Sequence, residues 1–161
     1  MKHFRKICVV SILILSACIG TSSGPKIEVQ DAWARAVTGM ENMGDSSQSG
    51  DEQQPMMGMN GAVYMVLHNN GDVGDKLLRV QGDVAQSIEL HISEMDDGVM
   101  SMHPVEAIEV LPKEQVELKP GGYHVMLVGL KRDLNPGDQI NLVLVFEKSG
   151  EIPITAEVRA P

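Results

Sequence analysis

From Ile27 onward no segment sustains the 3.6-residue apolar period of a helix. Short apolar-rich stretches recur instead, separated by Gly, Pro, Asn and Asp: Ile27–Val37, Gly61–His68, Lys76–Val80, Ser87–Met95, Val99–Val105, Ala107–Leu111, Gln115–Leu118, Tyr123–Leu130, Gln139–Glu147 and Ile152–Val158. Strands at this spacing predict an all-β sandwich or barrel. Asn69-Asn70-Gly71, Asp96-Asp97-Gly98, Pro120-Gly121-Gly122 and Asn135-Pro136-Gly137-Asp138 supply its turns. Alternation such as Gln115-Val116-Glu117-Leu118-Lys119 gives each strand one apolar and one solvated face. With 161 residues, the chain suits one domain.

What precedes Ile27 reads as an address. Met1–Lys6 is short and basic, and Ile7–Leu15 is apolar except for Ser11. That run is too short to span a bilayer and suits the core of a signal peptide. Leu15-Ser16-Ala17-Cys18 resembles the bacterial lipobox, in which cleavage before the cysteine leaves it to carry lipid. The expected organisation is a signal peptide over 1–17, a lipidated tether over 18–26 and one domain over 27–161, in the bacterial cell envelope outside the cytoplasm. Within the domain, Gly39–Asn60 lacks periodicity and holds Met40, Met43, Met56, Met57 and Met59, so it reads as a Met-rich loop insertion.

Charge and cysteine use then exclude whole classes. The formal charge is −9, and losing Lys2, Arg5 and Lys6 with the leader takes it to −12. A chain this acidic repels phosphate backbones, so no nucleic-acid partner is expected. Both cysteines, Cys8 and Cys18, precede residue 20. The domain therefore has no thiol for a disulfide, a nucleophile, a Cys-type zinc site or a blue-copper centre. No pair of carboxylates stands out as general acid and base and no phosphate-binding loop is visible, so an enzyme is not expected.

Four residues carry the chemistry. Ten residues separate His91 from Met102, twenty-one separate Met102 from His124, and Met126 completes a His-x-Met pair. Positions i and i+2 of a strand share a face, so His124 and Met126 present imidazole and thioether together. If Asp97-Gly98 is a two-residue turn, Met102 faces Ser93 and is the diagonal neighbour of His91. A four-residue loop puts Met102 directly opposite His91, whereas a three-residue loop separates their faces. Thioether sulfur is soft and favours Cu(I) over zinc, magnesium or calcium. Two imidazoles and two thioethers suit that closed-shell ion, with affinity falling as protons compete for imidazole near pH ~6.5.

These residues resemble the periplasmic copper chaperone family PCuAC, whose signature is His-x10-Met-x21-His-x-Met. The flanks match in type too: Glu89-Leu90-His91, Met102-His103-Pro104-Val105, Leu118-Lys119-Pro120-Gly121-Gly122-Tyr123-His124, Asp31-Ala32-Trp33-Ala34-Arg35 and Gly61-Ala62-Val63-Tyr64-Met65. The resemblance implies a cupredoxin-like Greek-key β-sandwich with an exposed Cu(I) site at His91, Met102, His124 and Met126. It also implies delivery of copper toward the binuclear copper centre of cytochrome c oxidase, alongside Sco-type proteins. The long Met-rich loop and the anchor at Cys18 depart from the family pattern.

The remaining candidates are weaker. Met95 and Met100 share the face of His91 in the two-residue register and read as apolar cover around the ion, the alternative being thioethers just outside the ligands, or spare ligands. His103 and His68 read as surface or structural residues, and Tyr123 as core. Met40, Met43, Met56, Met57 and Met59 are candidate ligands for further Cu(I), with Cu(II) an added option at histidines and loop carboxylates. The expectation is a monomeric, lipid-anchored copper(I) chaperone. The alternatives are a copper-sequestering resistance protein, or a structural sandwich lipoprotein without metal.

Overall fold

A computed structural model describes residues 24–39, 59–96 and 98–160; the leader with Cys18, and Met40, Met43, Met56 and Met57, lie outside these described residues. Ten strands make up the fold: β1 (Ile27–Arg35), β2 (Gly61–Asn69), β3 (Asp75–Gln81), β4 (Ala85–Asp96), β5 (Val99–Pro104), β6 (Ile108–Val110), β7 (Gln115–Leu118), β8 (Tyr123–Leu130), β9 (Gln139–Phe146) and β10 (Gly150–Arg159). No helix occurs among the described residues. The order of hydrogen-bonded neighbours is β5-β4-β8-β2-β1-β10-β9-β3-β6, with β7 also on β2. All pairings are antiparallel except that of β1 with β10. β2 is divided along its length: Gly61–Val63 pair with β8, and Met65–His68 with β7.

The period-2 pattern decides which side chains enter the core. Ile140, Leu142 and Leu144 point inward from β9, and Val63, Met65 and Leu67 from β2. Val125 and Leu127 of β8, Leu77 of β3 and Val158 of β10 complete the centre of that cluster. Burying side chains of this size contributes roughly 1.5–3 kcal/mol each, and this layer holds the strands at fixed distances from the site.

Most strand bounds shift by one or two residues, and three departures from expectation stand out: the end of β1, the bounds of β6 and β10, and the Met-rich loop. β1 stops at Arg35, and Val37 forms a separate two-hydrogen-bond bridge with Leu134. β6 is shorter than Ala107–Leu111, while β10 begins at Gly150, which sits in the left-handed region of a tight turn at φ 72°. The third concerns the Met-rich loop. Its last methionine, Met59, is not a free thioether: its side chain packs against the core and its carbonyl accepts the Leu130 N–H at 2.9 Å. Sequence polarity around it hid this, since Met59 stands at the end of a polar stretch just before β2.

One irregularity sets the floor of the site. Between Gln30 and Trp33 the β1–β2 register slips, so Asp31 and Ala32 together oppose a single residue of β2. Asp31 has φ 48°, a conformation Asp tolerates better than most residues, and its carboxylate holds Arg159 at 2.8 Å. The bulge turns Trp33 onto Tyr64, with ring centroids 4.6 Å apart, and the Arg159 guanidinium lies 5.8 Å from the indole.

Candidate metal centre

β4 and β8 bring the two histidines together. His91 and His124 are direct cross-strand partners, with ring centroids 5.9 Å apart and planes inclined at 44°. Met126 follows on the same face of β8, opposite Glu89 of β4 and Ala62 of β2. β5 returns with Met102 opposite Ser93, the register of a two-residue turn, in which Gly98 takes φ 81°. Met102 is therefore the diagonal neighbour of His91.

The turn before β8 fixes His124. Gly122 donates its N–H to the Lys119 carbonyl at 3.1 Å, and Gly121 has φ 79°. Lys119-Pro120-Gly121-Gly122 is thus a type II turn, which wants Pro and then a residue of positive φ. The Gly122 carbonyl accepts the Ser93 N–H at 3.1 Å and bonds His124 Nδ1 at 3.0 Å. With its proton on Nδ1, the ring carries a free lone pair on Nε2. Nε2 lies 3.2 Å from Met102 Sδ. His124 is only 5% exposed, whereas Met102 is 53% exposed. A buried, orientated imidazole thus meets a thioether arriving from solvent.

His91 is held from its own strand. Its Nε2 bonds the Glu89 carboxylate at 2.9 Å, and Glu89 also accepts from the Ser87 hydroxyl at 3.1 Å. These bonds, that of His91 first, hold the Glu89 carboxyl below the usual carboxylate range despite its small desolvation. His91 Nδ1 is buried and has no hydrogen-bond partner. A nitrogen bound to a metal lies ~2.0–2.1 Å from it, so two imidazoles on one ion stand up to ~6 Å apart, centre to centre. The observed 5.9 Å fits that limit. Met102, His124 and half-buried Met126 line one cleft of about 290 Å³ with Tyr64 and Ser93. Tyr64 stacks its ring 6.5 Å from that of His124, so the Trp33–Tyr64 pair backs the imidazole.

All four spaced residues are brought to one face, and imidazole and thioether are its donors. Among the described residues no three His, Cys, Asp or Glu side chains gather as a metal group. Of the other candidates, His103 is exposed on the reverse face, His68 is half-buried, and Tyr123 packs partly against the core. Met95 and Met100 share the face of His91 but are 70% and 63% exposed, so they cover little of the site, contrary to expectation. Sequence reading assigned no role to Glu89, the Gly122 carbonyl or the Trp33–Tyr64 pair. Glu89 was within reach, since a residue two before His91 shares its face.

The comparisons agree with this architecture. The family described as LpqE-like matches residues 27–158. Among curated proteins, RP573 of Rickettsia prowazekii is 30% identical over 100 residues, 62% of this chain and 55% of its own length. Lxx21020 of Leifsonia xyli subsp. xyli, a lipoprotein by name, is 27% identical over 99 residues, 61% of this chain and 60% of its own length. The chain thus spans little more than half of the curated relatives it matches. Among solved structures, the apo PCuAC domain of PmoF1 superposes with a TM-score of 0.62 at 30% identity, covering 84% of this chain and 95% of that one. The copper-bound PCuAC domain of PmoF2 gives 0.61 at 29%, with 84% and 94% covered. Copper(I)-bound DR1885 of Deinococcus radiodurans gives 0.51 at 26%, with 81% and 78% covered. The fold is accordingly the cupredoxin-like β-sandwich of PCuAC domains, and the chain belongs to the LpqE-like family.

Proposed function

We propose that this protein is a copper(I) carrier of the bacterial cell envelope. It holds one Cu(I) between His91, Met102, His124 and Met126 and passes it to an acceptor without changing its oxidation state. The observation that carries this reading is the meeting of His124 Nε2 with Met102 Sδ at 3.2 Å, beside His91. With Nδ1 protonated, Nε2 and Sδ can turn their lone pairs to one ion beside them, and soft sulfur beside imidazole selects Cu(I). The copper-bound PmoF2 domain and copper(I)-bound DR1885 support the same ion.

Release follows from unequal burial. Met102 comes from a solvent-exposed strand, while both imidazoles are held by hydrogen bonds. An acceptor's ligand displaces the Met102 thioether first and the imidazoles afterward. No proton has to move in the first step, because thioether has none to give or take. Cys18 carries the lipid that keeps the carrier at the membrane, in keeping with the lipoprotein name of a relative. The acceptor we favour is the cytochrome c oxidase binuclear copper centre or a Sco-type protein that serves it.

The test is an anaerobic Cu(I) titration against a competing chromophoric chelator. The intact protein is expected to hold one tight equivalent, weakened in Met102→Leu and lost in His124→Ala. Binding of equal strength in both variants, or none in the intact protein, overturns the assignment. For the acceptor, loss of the carrier should lower the copper content of the oxidase in a copper-limited cell; unchanged content removes that destination and leaves the site untouched.

A further inference from the structure

The β4–β5 hairpin carries more thioether than the site between β4 and β8 uses. The ladder of β4 with β8 ends at the Ile92–Tyr123 pair, and the Ser93 N–H on the Gly122 carbonyl is the next tie beyond it. From there the hairpin runs on as a two-stranded arm whose β5 residues are all exposed. The faces of this arm differ in kind. One carries Ile92, Glu94, Val99, Ser101 and His103; the other, continuous with His91, carries Ser93, Met95, Met100 and Met102.

The three methionines form a cluster. Met95 and Met100 are direct cross-strand partners, and Met102 lies diagonal to Met95 and two residues from Met100. Direct partners stand ~4.5–5.5 Å apart at Cβ and diagonal ones ~7–8 Å. Each side chain has three rotatable bonds, so the three sulfurs can converge on one point. None of them serves the core: Met95, Met100 and Met102 are 70%, 63% and 53% exposed. Three exposed, unbranched thioethers gathered on one face of an overhanging arm, and none on the other, are arranged for something that meets sulfur.

We propose that Met95, Met100 and Met102 form a second, weaker Cu(I) position at the outer end of the hairpin, sharing Met102 with the site at His91 and His124. The proposal rests on the Cu(I) reading of that inner site. Three neutral thioethers satisfy a closed-shell soft cation in a trigonal arrangement and offer nothing to zinc, calcium or magnesium. Without imidazole the outer set binds less tightly, which suits a point of exit. Met102, the first ligand displaced from the inner site, turns about its own side-chain bonds to join Met95 and Met100, and the ion follows as the imidazoles let go. The ion stays Cu(I), and no electron or proton is transferred.

The experiment follows the methionine methyl groups of the protein, labelled with 13C, during an anaerobic Cu(I) titration. Up to the first equivalent, the Met102 and Met126 signals are expected to shift while those of Met95 and Met100 stay. With excess Cu(I), Met95 and Met100 should then shift together with a common midpoint, and Zn(II) should move neither. Met95→Leu/Met100→Leu, which alters exposed positions only, should keep the first step and slow removal of the bound ion by bathocuproine disulfonate. Signals of Met95 and Met100 that stay fixed in excess Cu(I) overturn the outer position. So does a Met100 signal that titrates identically after Met95→Leu. Failure of the inner site shows separately, as Met102 and Met126 signals unmoved by the first equivalent.

Discussion

Asp75 is the most informative residue outside the site. It opens β3 and is only 3% exposed, yet it is charged. Its Oδ1 accepts the N–H groups of Lys76 at 2.8 Å and Lys148 at 2.9 Å, and its Oδ2 that of Ser149 at 2.8 Å. One carboxylate therefore ties the start of β3 to the β9–β10 turn. Asp75→Asn keeps one oxygen and puts an NH2 group against one of these donors. A hydrogen bond to a charged group contributes ~1.5–3 kcal/mol and a neutral one ~0.5–1.5, so losing one bond and weakening two costs ~3–5 kcal/mol. The amide is easier to bury than the carboxylate, which returns part of this and leaves ~2–3 kcal/mol. For a domain of this size that is a fall in Tm of roughly 5–10 °C.

The sign of the pH dependence is fixed by the same contacts. Burial raises the Asp75 pKa, but hydrogen bonds from Ser149 and the N–H groups of Lys148 and Lys76 outweigh it and hold it below the ordinary 3.8. A carboxyl depressed on folding stabilises above its unfolded pKa, and this contribution is lost as pH falls through the folded value. Urea denaturation of both proteins at pH 7 and again below 3.8 checks this, with the gap between them narrowing in acid. A gap under ~0.5 kcal/mol at pH 7, or one unchanged in acid, refutes the account of Asp75 as a charged staple.

Four further substitutions separate fold from site. Gly121→Ala meets no atom within 4 Å but forces an L-residue to φ 79°, so it should lose ~1–2 kcal/mol. Gly122→Ala, whose Cβ would lie 3.5 Å from Lys119 Cγ, should be near neutral in the same denaturation assay; the reverse order contradicts the type II turn. Glu89→Gln replaces the carboxylate on His91 by a neutral acceptor. It should lower Cu(I) affinity ~10-fold in chelator competition with little change in stability, and an unchanged affinity removes Glu89 as the orienting group. Leu142→Ala empties a fully buried position of β9 and should cost ~2–5 kcal/mol in denaturation while Cu(I) stoichiometry at the inner site stays at one.

How much of this was legible depends on the range of the interaction. The strands of β8 and β9 follow from alternation alone, because Val125, Leu127, Ile140, Leu142, Leu144 and Phe146 recur at every second position and the flanking turns carry Gly or Pro. The face shared by His91, His124 and Met126 follows from the same period, whereas the sequence left three loop lengths open at Asp97-Gly98, of which the two-residue turn, with Met102 diagonal to His91, is the one observed. Met59 was not legible, since its packing depends on where the far end of a long insertion rejoins β8. Nor was the bulge at Asp31: nothing local distinguishes it from an ordinary strand position, and its reason lies at Arg159, the other end of the chain. That long-range pair has a consequence for the site. Arg159 holds Asp31 in its left-handed conformation, the bulge turns Trp33 onto Tyr64, and Tyr64 backs His124. The imidazole is therefore positioned from two directions. The Gly122 carbonyl fixes its tautomer from the turn before β8, and the aromatic pair, cross-strand partners in the β1–β2 ladder, backs it from the other side. A site that pairs a solvent-exposed thioether with a buried imidazole held from two sides combines release with retention.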